Sequence, residues 1–386
     1  MHTQKINFEY LKILQEAPLF CKLILWKTLR NRKSVPATPG TVLLVNVSLV
    51  GEFAATATAM GDFIERNPEK IVDIMVSPAL RPLAQKIQGV RHVFVATSVF
   101  GRPTEQKDCN EKTAEVFDSY AITILMRISP EAYRSLKTMQ TGQMQTALPY
   151  LLGYGLHLLR CFIRRRVPRT WREVNFAILG GVPRDIPLEN LFIFTEEEKR
   201  HVAHLPALQT KEKKVLVHTR ASWVMNQWPL VRWEALLKEL GAIPEYRFIF
   251  VGSKAEMEDY QHLTRQVATP LYSLIGETSV AELLLVMRQC DSFIGVDSGP
   301  SNLAHLARLP SITLFGPGPH MYMPHDPQDI ALDHSCGRGV YQRFFYTKKN
   351  RIIDKISVTE VRSAFARLTL ASEAWPTSGP TNVQEK

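Results

Sequence analysis

The chain has 386 residues, of which 45% are hydrophobic, and a formal net charge of +10. It can therefore bury a sizeable core and is long for one compact domain, which excludes global disorder and favours two domains. Five cysteines without a Cys-x-x-Cys pair argue against a disulfide framework or a zinc ribbon and indicate a reducing setting.

The positive charge is concentrated in two segments. Residues 1–40 hold seven Lys or Arg against two acidic residues, and residues 151–172 hold six Arg and no acid, so the rest is close to neutral. No early stretch has the order of a secretory signal, and no run of about 20 apolar residues is free of charge. The sequence thus predicts a cytoplasmic protein that does not span a membrane.

Apolar residues alternate with Lys and Arg over residues 10–33 and 150–166, as in helices that lie on a membrane surface. Anionic lipid phosphates would attract these segments, which favours peripheral contact with the membrane. Two alternatives stay open: the apolar faces pack on the first domain with solvated arginines, or nucleic acid binds the charge. Because no RNA- or DNA-binding motif is present, we expect no nucleic-acid partner.

Short apolar runs alternate with helix-like segments in two blocks. The predicted strands are 41–47, 71–76, 92–95 and 121–125, then 214–218, 247–251, 292–295 and 311–315. Helices are predicted over 230–240, 255–267, 279–289 and 300–308 in the second block. Such alternation is typical of parallel sheets covered by helices, so the prediction is an α/β fold with two Rossmann-like domains facing across a cleft.

Composition also predicts the domain boundaries. Residues 1–40 are a basic amphipathic segment, and 41–180 form a first domain with a basic insertion near 147–172. Residues 181–212, with three prolines and a charged run, suit a linker. The second domain covers 213–350, followed by a helix over 351–371 and a flexible tail over 372–386, which is rich in Ser, Thr, Pro and Gly.

Two loops of small residues follow neighbouring strands of the second block. Asp297-Ser298-Gly299-Pro300 opens a helix of apolar period, and exposed amides at a helix start favour an anionic group such as phosphate. A plain helix cap at Asp297 or Ser298 is the alternative. The next strand ends in the rigid loop Phe315-Gly316-Pro317.

A third strand end supplies hydroxyls and amides. His218-Thr219-Arg220-Ala221-Ser222 follows the strand over 214–218 and precedes Trp228-Pro229. Ligands of open parallel sheets bind beyond the carboxyl ends of the strands, so two such domains place one substrate on each wall of a cleft.

These segments, in this order and with Gly252-Ser253 between them, resemble the carboxyl half of glycosyltransferase family 9, the ADP-heptose:lipopolysaccharide heptosyltransferases. That family has a Pro-Gly-Ala-Ser-like strand end before Lys-x-Trp-Pro, and Asp-Ser/Thr-Gly-Pro-x-His before Phe-Gly-Pro. Residues 42–52 resemble its first strand and Gly-Asp turn. The likeness covers roughly residues 41–370.

The resemblance implies a GT-B type enzyme whose second domain holds a nucleotide sugar. It implies transfer of a sugar, heptose from ADP-heptose, to a lipopolysaccharide-core or related glycolipid acceptor, with inversion and without a required metal or other cofactor. The phosphates of the acceptor or of anionic lipid would attract the basic segments to the inner face of the membrane.

The resemblance also assigns roles to single residues. Glu52 stands where the catalytic Asp would be, Asn226 where a Lys would be, and Asn302 where a His would be. Glu52 is either the general base or an ordinary helix-start carboxylate. The donor phosphates are expected at Thr219, Arg220, Ser222, Asn226, Ser298, Gly299 and Pro300. Other donor contacts are expected at Gly252, Glu256, Asp297, Asn302 and Gly316.

Some readings remain open beside the transferase. Glu256 would either hold the donor's ribose or lie solvated on its helix. A catalytically silent nucleotide-sugar-binding protein would keep the fold after losing the family's lysine and aspartate. A sugar-nucleotide epimerase of similar fold would bind the same donors.

Overall fold

A computed structural model describes residues 38–96, 98–99, 102–103, 120–126, 141–146, 170–317, 326–335 and 351–374. The basic segments over 10–33 and 150–166 lie outside the described residues, as does the tail beyond residue 374. No helix among the described ranges is long and apolar enough to cross a membrane.

The first block forms a five-stranded parallel sheet in the order β3-β2-β1-β6-β7. Its strands are β1 (Thr38–Asn46), β2 (Ile71–Val76), β3 (Val90–Val95), β6 (Tyr120–Leu125) and β7 (Thr141–Thr146). Two short strands, β4 (Ser98–Val99) and β5 (Arg102–Pro103), form a separate antiparallel pair. The four strands predicted here are confirmed, whereas β7 was not predicted.

Helix α1 (Val50–Arg66) follows β1 and covers one face of this sheet. It is amphipathic, with Phe53, Ala57 and Met60 buried, and it ends where the side chain of Asn67 donates to the carbonyl oxygen of Phe63 at 2.7 Å. A short helix α2 (Arg81–Ala84) connects β2 to β3.

The second block forms a six-stranded parallel sheet in the order β10-β9-β8-β11-β12-β13. Its strands are β8 (Lys213–His218), β9 (Tyr246–Phe250), β10 (Leu271–Ser273), β11 (Ser292–Val296), β12 (Ser311–Leu314) and β13 (Ile330–Leu332). The four predicted strands are confirmed within one residue at each end, and β10 and β13 were missed.

The segment predicted as a linker contains helices and packs on the first domain. Along the chain, three helices follow the first sheet and precede the second: α3 (Trp171–Ile178), α4 (Leu188–Leu191) and α5 (Glu196–Ala203). Asp62 on α1 accepts hydrogen bonds from Arg66 at 2.7 Å and from Arg184 at 2.5 Å. Since Leu191 also lies against Gly61, this segment is fixed to α1 rather than loosely extended.

The helices of the second domain lie where the sequence predicts them. They are α6 (Leu230–Leu240), α7 (Met257–Gln266), α8 (Val280–Met287) and α9 (Gly299–Ala307). The closing helix α10 (Val358–Ala374) packs its Phe365 ring on Tyr246, with ring centres 5.0 Å apart. It extends three residues beyond the end predicted for it.

Candidate functional site

Helices α1 and α9 begin in direct contact, and two glycines allow it. A Cβ atom on Gly51 would lie 3.0 Å from Nδ2 of Asn302, and one on Gly299 would lie 3.1 Å from Cβ of Val50. Both distances are tighter than ordinary contacts, so a side chain at either position would require the facing side chain to shift by a few tenths of an ångström. The two helix starts, each carrying partial positive charge, therefore meet at one point.

The start of α9 is organised around Ser298, its N-cap residue. Oγ of Ser301 accepts from the Ser298 amide at 3.0 Å and donates to its carbonyl oxygen at 2.9 Å. The Asn302 side chain also donates to that oxygen, at 2.8 Å. The Gly299 amide precedes the first intrahelical bond, from Asn302 N to Ser298 O, and so has no acceptor within the helix.

A row of polar side chains crosses the carboxyl ends of β9, β8 and β11. Oγ of Ser298 lies 3.1 Å from Nδ1 of His218, whose Nε2 lies 3.8 Å from Oε1 of Glu256. Ser253 donates to the other oxygen of Glu256 at 2.7 Å. Burial lowers the pKa of His218 to about 4, so its ring is neutral at pH 7. The row joins the expected ribose and phosphate positions.

Gly252 keeps this row compact. Its φ of +151° is one that residues with side chains rarely adopt, and a Cβ atom would lie 3.0 Å from Oε2 of Glu256. The backbone of β9 can therefore approach the Glu256 carboxylate only with glycine here.

Asn226, Asp297 and Gly316 come together beside the start of α9. Nδ2 of Asn226 donates to Oδ2 of Asp297 at 2.9 Å. Oδ1 of Asn226 is buried and has no hydrogen-bond partner in the described part of the chain. A Cβ atom on Gly316 would collide with this oxygen and with the Met225 carbonyl oxygen. The amide thus neutralises no phosphate charge itself but holds the Asp297 carboxylate.

Thr219 and Arg220 turn towards α7 instead of towards α9. The Arg220 guanidinium lies 3.3 Å from Oδ1 of Asp259 and also donates to the Ala255 carbonyl oxygen. Thr219 Oγ1 lies 3.5 Å from Oδ2 of Asp259, and Ser222 is exposed. Their expected contacts with donor phosphate, like that of the inward-bonded Asn302, stay predictions.

In the first domain, Glu52 lies in the first turn of α1. Its Oε2 accepts from the Leu49 amide at 3.3 Å, as expected of a helix-start carboxylate. Glu52 also lines a small cleft of about 20 Å³ in the first domain, which has room for about one water. The other lining residues are Asn46, Ser48, Thr56, Met126, Trp171 and Asn175.

The sequence points to Glu52, Ser298 and Glu256 as site residues but not to His218 or to the other residues that line the cleft beside Glu52. A histidine at a strand end and an asparagine at the end of β1 carry no motif of their own. Only the sheet order, which makes β8 and β11 neighbours, brings His218 to Ser298. Across the described residues, no group of three or more His, Cys, Asp or Glu is placed to hold a metal ion.

The part of the chain that carries the row from Ser298 to Glu256 matches a known family. Residues 170–336 match the model of glycosyltransferase family 9 (heptosyltransferase). This part of the chain therefore resembles a glycosyltransferase family 9 domain. His305 fits a structural role in it, since its Nε2 lies 3.3 Å from Oγ1 of Thr313.

Among curated proteins, lipopolysaccharide heptosyltransferase 1 of Campylobacter coli is 26% identical over 179 residues, which cover 45% of this chain. The match spans 46% of that relative, somewhat less than half its length. It agrees with the family resemblance expected from the motifs.

Solved structures match nearly the whole fold. The glycosyltransferase family 9 protein of Veillonella parvula has a TM-score of 0.64 at 16% identity, with 88% of this chain and 99% of that one covered. Heptosyltransferase II of E. coli has a TM-score of 0.63 at 17% identity, with 86% and 99% covered. The predicted family resemblance and GT-B type architecture are confirmed.

Proposed function

We propose that this chain transfers heptose from ADP-heptose to a hydroxyl of a lipopolysaccharide-core or related glycolipid, with inversion. The contact between the starts of α1 and α9 is the observation that carries the proposal. Gly51, which meets Asn302 of α9, directly precedes Glu52, and this supports a base close to the helix start where a diphosphate would bind. A proton acceptor and a leaving-group site would then face the same reacting carbon.

The second domain would hold the diphosphate through the amides at the start of α9, such as that of Gly299, and through the dipole of this helix. Glu256 would accept hydrogen bonds from the ribose hydroxyls. Because Asn226 replaces the family's lysine, the leaving diphosphate would be stabilised chiefly by these amides. C. coli and E. coli relatives named as heptosyltransferases support heptose as the transferred sugar.

The first domain, which would bind the acceptor, would also supply the general base. Glu52 keeps Oε2 on the Leu49 amide while Oε1 takes the proton of the acceptor hydroxyl. The hydroxyl oxygen forms a bond to the anomeric carbon as the bond from that carbon to the phosphate oxygen breaks. The electron pair leaves with ADP, and attack opposite the leaving group inverts the anomeric centre.

A catalytically silent nucleotide-sugar-binding protein is the second candidate. The contacts of Glu52 with the Leu49 amide and of Asn226 with Asp297 favour it, because both groups already serve the fold. Both candidates would bind the donor through the same residues of the second domain. They differ only in whether the sugar is then transferred.

We further propose a cytoplasmic protein attached to the inner face of the membrane through its two basic segments, with no other cofactor than the donor. We keep the domain division at residues 41–180, 181–212 and 213–350. Both sheets lie inside their proposed domains; α4 packs on α1 of the first domain, whereas His201 of α5 bonds to Glu282 of α8 in the second.

Incubation with ADP-heptose and lipopolysaccharide-core acceptors tests the proposal. We expect acceptor-dependent ADP release together with an acceptor mass increased by one heptose. ADP-heptose binding without release would favour the silent protein, and conversion of the donor without acceptor would favour an epimerase. Absence of binding would refute the heptose donor.

A further inference from the structure

The turn that carries Asn226 is held from outside by a residue far along the chain, Arg351. Nη1 of Arg351 donates to the carbonyl oxygens of Val224 at 3.1 Å and of Gln227 at 2.9 Å, on either side of Asn226. These carbonyls belong to a short 3₁₀ helix (Val224–Asn226) and to the residue after it. A single 3₁₀ turn has few internal hydrogen bonds, so its position depends on its neighbours. Arg351 therefore helps to fix where the backbone of Asn226 lies.

The guanidinium of Arg351 is itself held in one orientation. Its Nε and Nη2 donate to the two carboxylate oxygens of Asp354 at 3.0 and 2.6 Å, which makes a bidentate pair. The Arg351 side chain is 17% exposed, so the pair is largely shielded from water. Because the guanidinium is planar, this pair also fixes the direction of Nη1 towards the turn. A lysine has one ammonium group and cannot make both sets of contacts.

The segment that carries Arg351 is also anchored beside the start of α6. Nε1 of Trp228 donates to the Ile356 carbonyl oxygen at 3.0 Å. Nη1 of Arg232 donates to the carbonyl oxygens of Asp354 and Ile356, at 2.6 and 2.7 Å. Arg351 thus reaches the turn from a segment that other residues already hold in place.

Asn226 connects the position of the turn to the proposed donor site. Its Nδ2 donates to Oδ2 of Asp297 at 2.9 Å, while its buried Oδ1 has no hydrogen-bond partner among the described residues. No hydrogen bond to Oδ1 within the described ranges would therefore keep the amide in place if the turn moved. A shift of the turn would change the contact with Asp297, which directly precedes the N-cap residue of α9.

We infer that Arg351 is a positioning residue of the donor site, which acts through Asn226 and Asp297. The inference rests on the proposed function, because it takes a nucleoside diphosphate as the ligand at the start of α9. Arg351 lies beyond residue 336, where the match to the family model ends. Its role requires no contact with the donor itself, only the two hydrogen bonds to the turn.

Isothermal titration of the full chain with ADP tests this role. We expect Arg351→Gln to raise the Kd of ADP about three- to tenfold, because the turn loses hydrogen bonds from a charged group. Arg351→Lys keeps the charge without the fork and should restore part of the affinity. An unchanged Kd in Arg351→Gln would overturn the inference and leave the proposed donor site intact. If the wild type did not bind ADP, the proposed function would fail and the inference with it.

A double-mutant cycle separates positioning from a general loss of stability. In an Asn226→Ala background, Arg351→Gln should change the Kd of ADP by less than about twofold, because the residue it acts through is already lost. Equal fold-changes in both backgrounds would refute a role that runs through Asn226.

Arg232→Gln is the matched control for the anchoring of the segment. Arg232 holds the same segment but donates to neither carbonyl oxygen of the turn, so the Kd of ADP should stay within about twofold of the wild type. An equal loss of affinity in Arg232→Gln and Arg351→Gln would assign the effect to the segment as a whole and overturn the role of Arg351.

Discussion

Oγ of Ser298 and Nδ1 of His218 lie 3.1 Å apart, and they join the start of α9 to the end of β8. The two residues are 80 positions apart in the chain. His218 is 4% exposed, and its Nε2 faces Glu256. The histidine therefore links the expected phosphate and ribose positions as a neutral, fully enclosed group.

The buried ring of His218 should make the second domain sensitive to acid. Its pKa of about 4 lies below the ordinary value of 6.5 because burial disfavours the charged ring. The unfolded chain therefore binds more protons between these values, and stability present above pH 6.5 is lost as pH falls towards 4. The loss should be on the order of 2–3 kcal/mol by pH 4.5.

His218→Gln keeps a hydrogen-bonding side chain beside Ser298 but does not titrate. Urea unfolding of both proteins from pH 4.5 to 7.5 measures the difference. We expect the variant to lose less stability than the wild type on acidification. Parallel curves would contradict the assignment of this acid sensitivity to His218.

The contact of α1 with α9 should tolerate no side chain at Gly51. Gly51→Ala places a methyl group 3.0 Å from Nδ2 of Asn302, and such overpacking should cost about 1–3 kcal/mol in the free energy of unfolding. Asn302→Ala makes room, so the double variant should be less destabilised than the sum of the two single changes. Urea midpoints provide the measurement, and strict additivity would rule out a direct contact.

Asn226 should control the charge of the donor site through Asp297. Asn226→Ala removes the donor that lies 2.9 Å from the Asp297 carboxylate, so ADP binding should weaken about three- to tenfold. Asn226→Lys adds an ammonium group there and should tighten ADP binding by a similar factor, less so at high salt.

Isothermal titration with ADP at two salt concentrations measures both effects. Asn190→Lys, at an exposed position on α4, adds the same charge away from the site and serves as the control. If Asn226→Lys and Asn190→Lys change ADP affinity equally, position 226 has no special relation to the donor phosphates.

The sequence predicted the sheets well where strands are continuous apolar runs. Strands buried on both faces, such as β8 and β11, need apolar residues at nearly every position, and this pattern is visible without any partner. Strand β7 reads Thr-Gly-Gln-Met-Gln-Thr, which has no apolar run and is defined only by its parallel pairing with β6. The three-residue strands β10 and β13 are too short to show a period.

The loops that form the candidate site could be predicted from the sequence, but the contacts between their residues could not. Ser298 and Gly316 are recognisable from a helix-start motif and a Pro/Gly motif. The local backbone conformation requires these residue types, so the motifs are visible in the sequence. The partners of Asn226 and Asn302 depend on how strand ends and helices meet in space. Spacing along the chain gives no sign that Asn302 would bond back to Ser298, or that the buried oxygen of Asn46 would find no partner among the described residues.

The rate of acceptor-dependent ADP release in Glu52→Gln, compared with Glu52→Asp and the wild type, tests the transfer mechanism most directly. Glutamine keeps an oxygen for the Leu49 amide but takes up no proton, so release should fall at least about a hundredfold while ADP affinity is unchanged. Aspartate keeps a carboxylate and should retain more activity than glutamine. Equal rates in Glu52→Gln and the wild type would contradict the assignment of Glu52 as the base.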